Sequence, residues 1–342
     1  MTVTLKDIAE KLDLSVTTVS RALAGYSDVA EGTCQRVRQA AKEMGYYPNI
    51  TARQLQKQCT DTLAFIIPTH GPRFSDPFFS ELLSGIGNEA AHHNFDLLVS
   101  TQPPNSDAER ETYRHIVHGR RADGILVART RQNDERIRFL NGHHFPFVAF
   151  GRSDLEIDFP YVDEDSYTGI QLLTQHLVDL GHQRIGFICA PAELMFCQSR
   201  LDGYRDTLQE NGLPVNEALV VDGDLTQRGG FRATQELLAH TTRPTAIIAC
   251  NDLMALGAMS AAQQIGLTIG RDLAVGGFDD IPLAEHVHPS LTTVRQPIYE
   301  IGQRITRMLI QLIQGEIPAE MQVVLTPQLI VRESSGPLID SA

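Results

Sequence analysis

The spacing of apolar positions changes character near residue 60. Before it the spacing is helical: Leu5, Ile8, Ala9 and Leu12 recur at i, i+3, i+4 and i+7, which predicts an amphipathic helix with Thr4 placed to cap it. After the Asp13-Leu14 turn, Ser15 can cap a second helix whose Val19, Ala22 and Leu23 share a face and which Gly25 ends. A third helix is expected from about Thr33 to Met44, with Val37, Ala40, Ala41 and Met44 turned inward and a stop at Gly45. Three helices of this size make one small bundle. The stretch that follows, YYPNITARQLQKQ, is polar apart from Ile50, Ala52 and Leu55. Pro48 suits the first turn of a short helix, Asn49 to Gln56, which has too little apolar surface to stand alone and reads as a hinge.

From residue 62 short β-rich runs alternate with helical patterns. LAFIIP, FDLLVS, GILVA and FVAF are separated by helices near 78–93, 107–119 and 133–141. A second series, RIGFICA, LVVDG, TAIIAC and LAVGGF, is preceded by a helix near 166–181 and interleaved with helices near 199–211, 229–239 and 252–265. Such alternation predicts parallel sheets wrapped on both faces, and two series predict two α/β lobes with a cleft at their strand ends. The closing segments, LTTVRQP, a helix near 298–313 and MQVVLTPQLIVRES, are expected to finish the second lobe and any crossovers.

Charge alters the picture through its distribution. The chain of 342 residues carries −13, but residues 1–58 hold eight Lys/Arg against six Asp/Glu while the remainder is strongly acidic. A weakly basic bundle ahead of an acidic body leaves room for a nucleic-acid partner at the N-terminal end. No run of eighteen apolar residues occurs and the first residues lack the apolar core of a signal peptide, so a cytoplasmic protein is expected. Five cysteines without CxxC spacing suggest reduced thiols rather than a zinc site or a disulfide framework.

The stretch SVTTVSRALAG carries the chemistry of the first bundle. Two short helices joined by a tight turn, the second opening on hydroxyls, have the form of a helix-turn-helix unit. Outside its own apolar face this second helix offers Ser15, Val16, Thr17, Thr18, Ser20 and Arg21. Hydroxyls and helix-start N–H groups can bind phosphate, arginine can fork onto guanine, and valine can touch a thymine methyl. Val16 is ambiguous, because it also shares a face with Val19 and Leu23.

The string TLKDIAEKLDLSVTTVSRALAG, followed by the third helix and GYYPNITARQL, resembles the DNA-binding head and hinge of the LacI/GalR family of bacterial repressors, and the body is similar to that family through to VRESS. The resemblance implies an all-α helix-turn-helix head at 1–46, a hinge at 47–60, and a two-lobed α/β body at 61–342 like the periplasmic sugar-binding proteins. It also implies parallel sheets and crossovers near 162–165, 290–296 and 325–329. By position, Val16, Thr17 and Arg21 fall on residues that read base edges, and Thr4, Ser15, Thr18 and Thr33 on phosphate contacts. Leu55 matches the hinge leucine that wedges into the minor groove, beside Ala52 and Gln56. Ala30 departs from the serine or acid common at the start of the third helix, so a cap or a phosphate contact is expected to be missing. The resemblance further implies a homodimer; after VRESS only GPLIDSA follows, without the leucine heptads of a further coiled coil.

In the body, Phe74, Asp76, Phe78 and Phe79 follow the first strand, where aromatic faces and a carboxylate suit a sugar. Phe79 alone has an equal claim to the core. Arg152 in FGRSD, Arg200 in RLDGY, Asn251 after TAIIAC and Asp279 in GFDD resemble the family's effector contacts, all four expected just beyond strand ends. Gly151 and Leu225 stand where many members carry an aspartate and a stacking aromatic. GIGNEA at 85–90 lies within a helical pattern, the histidine pairs lack further ligands at zinc spacing, and no GxSxG, Walker or HExxH sequence occurs. The chain is therefore expected to be no enzyme and to need neither cofactor nor metal. The expected function is a transcriptional repressor released from a palindromic operator by a sugar or disaccharide. The competing readings are a co-repressor-type regulator answering a nucleobase or sugar phosphate, and a transport receptor, which would not need the head.

Overall fold

The computed structural model describes residues 3–46, 59–69 and 76–336. The chain divides into two compact units, Met1–Cys59 and Thr60–Ala342.

In the first unit, α1 (Leu5–Leu12), α2 (Val16–Ala24) and α3 (Glu31–Met44) surround a core of Ile8, Val19, Ala22, Val37, Ala40 and Ala41. Local chemistry sets the helix ends. Thr4 and Asp7 form a reciprocal capping box, in which the Asp7 carboxylate accepts from the Thr4 N–H at 2.7 Å. Ser15 Oγ accepts from the Thr18 N–H at 3.0 Å. Gly25 and Gly45 end their helices at φ of 76° and 67°, backbone that glycine adopts without strain. At the start of α3, Ala30 provides no side-chain cap.

The second unit holds two six-stranded sheets among the described residues. The first lobe runs β1 (Thr62–Pro68), α4 (Pro77–His92), β2 (Asp96–Gln102), α5 (Asp107–His118), β3 (Gly124–Val127), α6 (Glu135–Gly142), β4 (Phe147–Phe150) and β5 (Tyr161–Glu164). The second lobe follows with α7 (Ser166–Asp179), β6 (Ile185–Cys189), α8 (Met195–Glu210), β7 (Val220–Asp222), α9 (Gln227–Ala239), β8 (Ala246–Ala249), α10 (Asp252–Gln264), β9 (Ala274–Asp279) and β10 (Thr292–Arg295). The chain then returns to the first lobe for α11 (Ile298–Ile313) and β11 (Gln322–Leu325), and passes back for β12 (Gln328–Ile330). The sheet orders are β11-β5-β4-β3-β1-β2 and β12-β10-β9-β8-β6-β7.

Two expectations need correction. α11 does not finish the second lobe; its buried Ile298, Ile301, Ile305 and Leu309 pack with Leu63, Phe65, Leu126 and Val148 of the first. The periodicity of an amphipathic helix shows that one face is buried but not which sheet buries it. The second sheet is also not wholly parallel, because β12 pairs antiparallel with β10 at its edge. Gly85 and Gly302 let α4 and α11 approach closely: a Cβ on Gly85 would lie 2.2 Å from the Tyr299 carbonyl oxygen. Away from the chain crossings the lobes meet directly, where Met195 N–H donates to Thr130 O at 3.0 Å and Gln132 N–H to Glu193 O at 2.9 Å.

Candidate DNA-binding and effector sites

In the head, the start of α2 is turned to solvent. Val16 is 45% exposed, which settles its ambiguity in favour of a surface role, and Ser15 and Thr17 are exposed beside it. Thr18 and Ser20 are half-buried; the Thr18 hydroxyl shares a 2.8 Å hydrogen bond with Ser15 Oγ. Arg21, near the end of the helix, pairs with Asp28 and lies over the Tyr26 ring, 4.6 Å from its centroid. Thr4 is exposed within its capping box, and Thr33 is half-buried in the first turn of α3. Asn49, Ala52, Leu55 and Gln56 lie outside the described residues.

In the body a cavity of about 180 Å³ opens between the two sheets' strand ends. Phe78, Arg152, Arg200, Asn251 and Asp279 line it, as the sequence suggested. Phe78 and Phe150 stack at 5.8 Å with their planes 20° apart, forming an aromatic wall. Phe74 lies outside the described residues. Phe79 is instead a core residue, 1% exposed and packed against Phe65, because the α4 turn that presents Phe78 to the cavity carries its neighbour under the sheet. Asp76 is also absent from the wall: one oxygen caps α4 through the Phe78 N–H at 3.1 Å and the other binds Arg129 at 2.5 Å.

Arg200 does not follow a strand end directly; it sits in the second turn of α8. Its guanidinium lies between the rings of Phe278 and Phe196, 3.6 and 4.4 Å from their centroids. Nε donates to Ser166 Oγ at 3.1 Å, Nη1 to the Cys250 carbonyl, and Nη2 to Glu164 at 3.1 Å, which ties the second lobe to a strand of the first. Arg152, just beyond β4, donates from Nε to Asp163 of β5 at 2.7 Å. Burial, reinforced by the Glu164 charge, pushes the Asp163 carboxyl up to about 7. Asp279, at φ 120° on the end of β9, is raised well above the usual carboxylate range chiefly by burial, and accepts a 2.5 Å hydrogen bond from Gln296 Nε2. Asn251 caps α10 and donates to Leu225 O at 3.2 Å. Gly151, at φ 110°, leaves no room for a side chain, since its Cβ would lie 2.4 Å from Thr130 Oγ1.

Sequence reasoning missed Arg129, Thr130, Asp163, Glu164 and Gln296 at this wall. One signal was available: Asp163 and Glu164 are adjacent acids at the end of a short β-rich run, where a cleft collects side chains. Among the described residues, no helix is long and apolar enough to cross a membrane.

A helix-turn-helix head joined to a two-lobed body of the periplasmic-binding-protein kind is the build of a DNA-binding transcriptional regulator. The chain belongs to the lacI family of bacterial regulatory proteins. That family's model matches residues 4–49, and a periplasmic binding protein-like domain matches residues 174–335. The HTH-type transcriptional regulator AglR of Rhizobium meliloti (strain 1021) is 37% identical over 99% of this chain and 96% of its own. A structure described as the transcriptional regulator CelR-cellobiose complex superimposes with a TM-score of 0.75 at 33% identity, covering 97% of this chain and 99% of the other. The lac repressor dimer bound to operator and the anti-inducer ONPF superimposes with a TM-score of 0.86 at 27% identity, over 98% and 100% of the two chains.

Proposed function

We propose that this regulator represses transcription as a homodimer on a near-palindromic operator and is released by a neutral saccharide. One observation carries the effector class. Every arginine among the described residues of the cavity wall is already paired: Arg129 with Asp76 at 2.5 Å, Arg152 with Asp163 at 2.7 Å and Arg200 with Glu164 at 3.1 Å. A sugar phosphate would have to compete with these acidic side chains for the guanidinium groups, and burying a charge without a partner is costly. A neutral polyol needs only hydrogen bonds at its edge and apolar ring faces, which Phe78, Phe150 and Phe196 offer. The cellobiose named for CelR fits the same class.

In this reading Val16, Thr17 and Arg21 touch base edges, and Thr4, Ser15, Thr18, Ser20 and Thr33 hold the phosphate backbone. The hinge residues Asn49, Ala52, Leu55 and Gln56 meet the minor groove, and paired Leu55 side chains open it at the dyad. Saccharide bridging the lobes favours an arrangement in which the hinges no longer pair, so operator affinity falls. The protein acts in the cytoplasm, on the nucleoid.

Dye-based thermal shift of the full chain against mono- and disaccharides, sugar phosphates and nucleobases tests the class. A neutral saccharide at about a hundred times its Kd should stabilise the body by about 2.7 kcal/mol and displace the chain from operator in a gel-shift assay. A response confined to phosphorylated sugars or to purines overturns the assignment.

A further inference from the structure

Arg21 is held from two directions by the turn between α2 and α3. In the plane of the guanidinium, Nε and Nη2 donate to the two oxygens of Asp28 at 3.3 and 2.5 Å. The guanidinium carbon also lies over the Tyr26 ring, 4.6 Å from the ring centroid. A carboxylate along one edge and a ring beneath the central carbon together restrict how the guanidinium can turn. The donors left over, on Nη1 and the outer hydrogen of Nη2, form the edge that can fork onto guanine O6 and N7.

We propose that Asp28 is a positioning residue for base reading: it selects which edge of Arg21 faces the major groove and so sets sequence discrimination at one base pair of each half-site. This rests on the reading of Arg21 as a base contact. Asp28 is also an exposed negative charge on the same unit that approaches phosphates, so it weakens binding to any duplex. The two effects have opposite signs on specific and non-specific binding, which a purely structural role for Asp28 does not produce.

The test uses the full chain and the duplex it selects from a randomised library. Asp28→Asn keeps the size of the side chain and removes the charge. We expect operator affinity to fall about fivefold, affinity for random duplex at low salt to rise about two- to threefold, and discrimination at the guanine read by Arg21 to drop about tenfold, within the range of one bidentate base contact. Other half-site positions should keep their preferences. In an Arg21→Ala background, Asp28→Asn should leave discrimination unchanged. The proposal is overturned if Asp28→Asn preserves discrimination at every position, or lowers it equally with and without Arg21. If Arg21→Ala itself leaves discrimination intact, the base-reading role fails first and the proposal falls with it. Tyr26→Leu, which removes the ring face but not the in-plane pair, should give a smaller loss at the same base pair, and far-UV circular dichroism checks that each head is folded.

Discussion

Replacing Arg200 by methionine tests how the two lobes are joined behind the cavity. The side chain of Arg200 is 4% exposed and that of Glu164 3%. Methionine keeps an unbranched stem but ends short of the guanidinium, so it removes all three hydrogen bonds together with the cation–ring contacts to Phe196 and Phe278, and leaves the Cys250 carbonyl without its guanidinium donor. Glu164 retains its 2.5 Å hydrogen bond from Ser166 Oγ yet loses its counter-charge. Breaking a buried ion pair by removing one partner costs about 3–5 kcal/mol. For a body of this size each kcal/mol moves Tm by about 2–4 °C, so a fall of roughly 10 °C is expected. The chain has no tryptophan, so calorimetry or far-UV circular dichroism is the suitable readout. Adding Glu164→Gln to Arg200→Met removes the stranded charge and should restore about 1–3 kcal/mol, the usual coupling of groups in contact. If the two single losses simply add, or if Arg200→Met costs under about 1 kcal/mol, the pair is not what joins the lobes there.

Three further outcomes are expected. Ala30→Ser supplies α3 with the cap it lacks and should stabilise the head by about 1 kcal/mol; a head transition that does not rise on urea unfolding refutes this. Gly85→Ala should destabilise the body by about 1–3 kcal/mol through collision with the Tyr299 carbonyl, whereas Gly87→Ala, in the same helix with open space around it, should stabilise by about 0.5–1 kcal/mol; equal melting shifts would discredit the packing account. Asp163 and Asp252 hold their protons up to about 7, both chiefly through burial, and Asp279 is raised as well. Through these carboxyls the folded body holds more protons than the unfolded chain, and the stability they contribute is complete below the ordinary carboxylate range and lost as pH rises through about 7; burial holds His176 and His182 below the usual imidazole range, which acts the other way as pH falls. Asp252→Asn should remove part of the stability gained as pH falls from about 8 to about 6.5, so the variant's urea midpoint should gain less over that interval than the parent's; equal gains in the two contradict the burial account.

What the sequence revealed was mostly local. Thr4, Ser15, Gly25 and Gly45 mark helix ends through bonds to residues within one turn, and the structure places those ends as read. β5 was missed because two of its four residues are acids, Asp163 and Glu164, which are buried where Arg152 of the preceding loop and Arg200 of α8 meet them. The same holds for Arg131 and Arg136, which form a buried network with Glu109 and Asp134. A charged residue in a sequence looks solvated until its partner is known. In the cavity, Phe78 was placed from its position after the first strand, and Arg152, Asn251 and Asp279 came from the family resemblance as well as from their places at strand ends; Arg129 was passed over although it lies equally close behind β3, and its pairing with Asp76 is seen only in the fold.

The return of α11 and β11 to the first lobe also bears on how the protein is made. A ribosome releases residues 166–295, the whole second lobe through β10, before it reaches the helix that covers one face of the first sheet. At cellular elongation speeds that interval is on the order of ten seconds. Throughout it, part of the greasy surface destined to meet Ile301, Ile305 and Leu309 stays uncovered on the nascent chain. A premature stop anywhere before Ile298 would leave it so permanently, yielding a product prone to clump or to be held by chaperones.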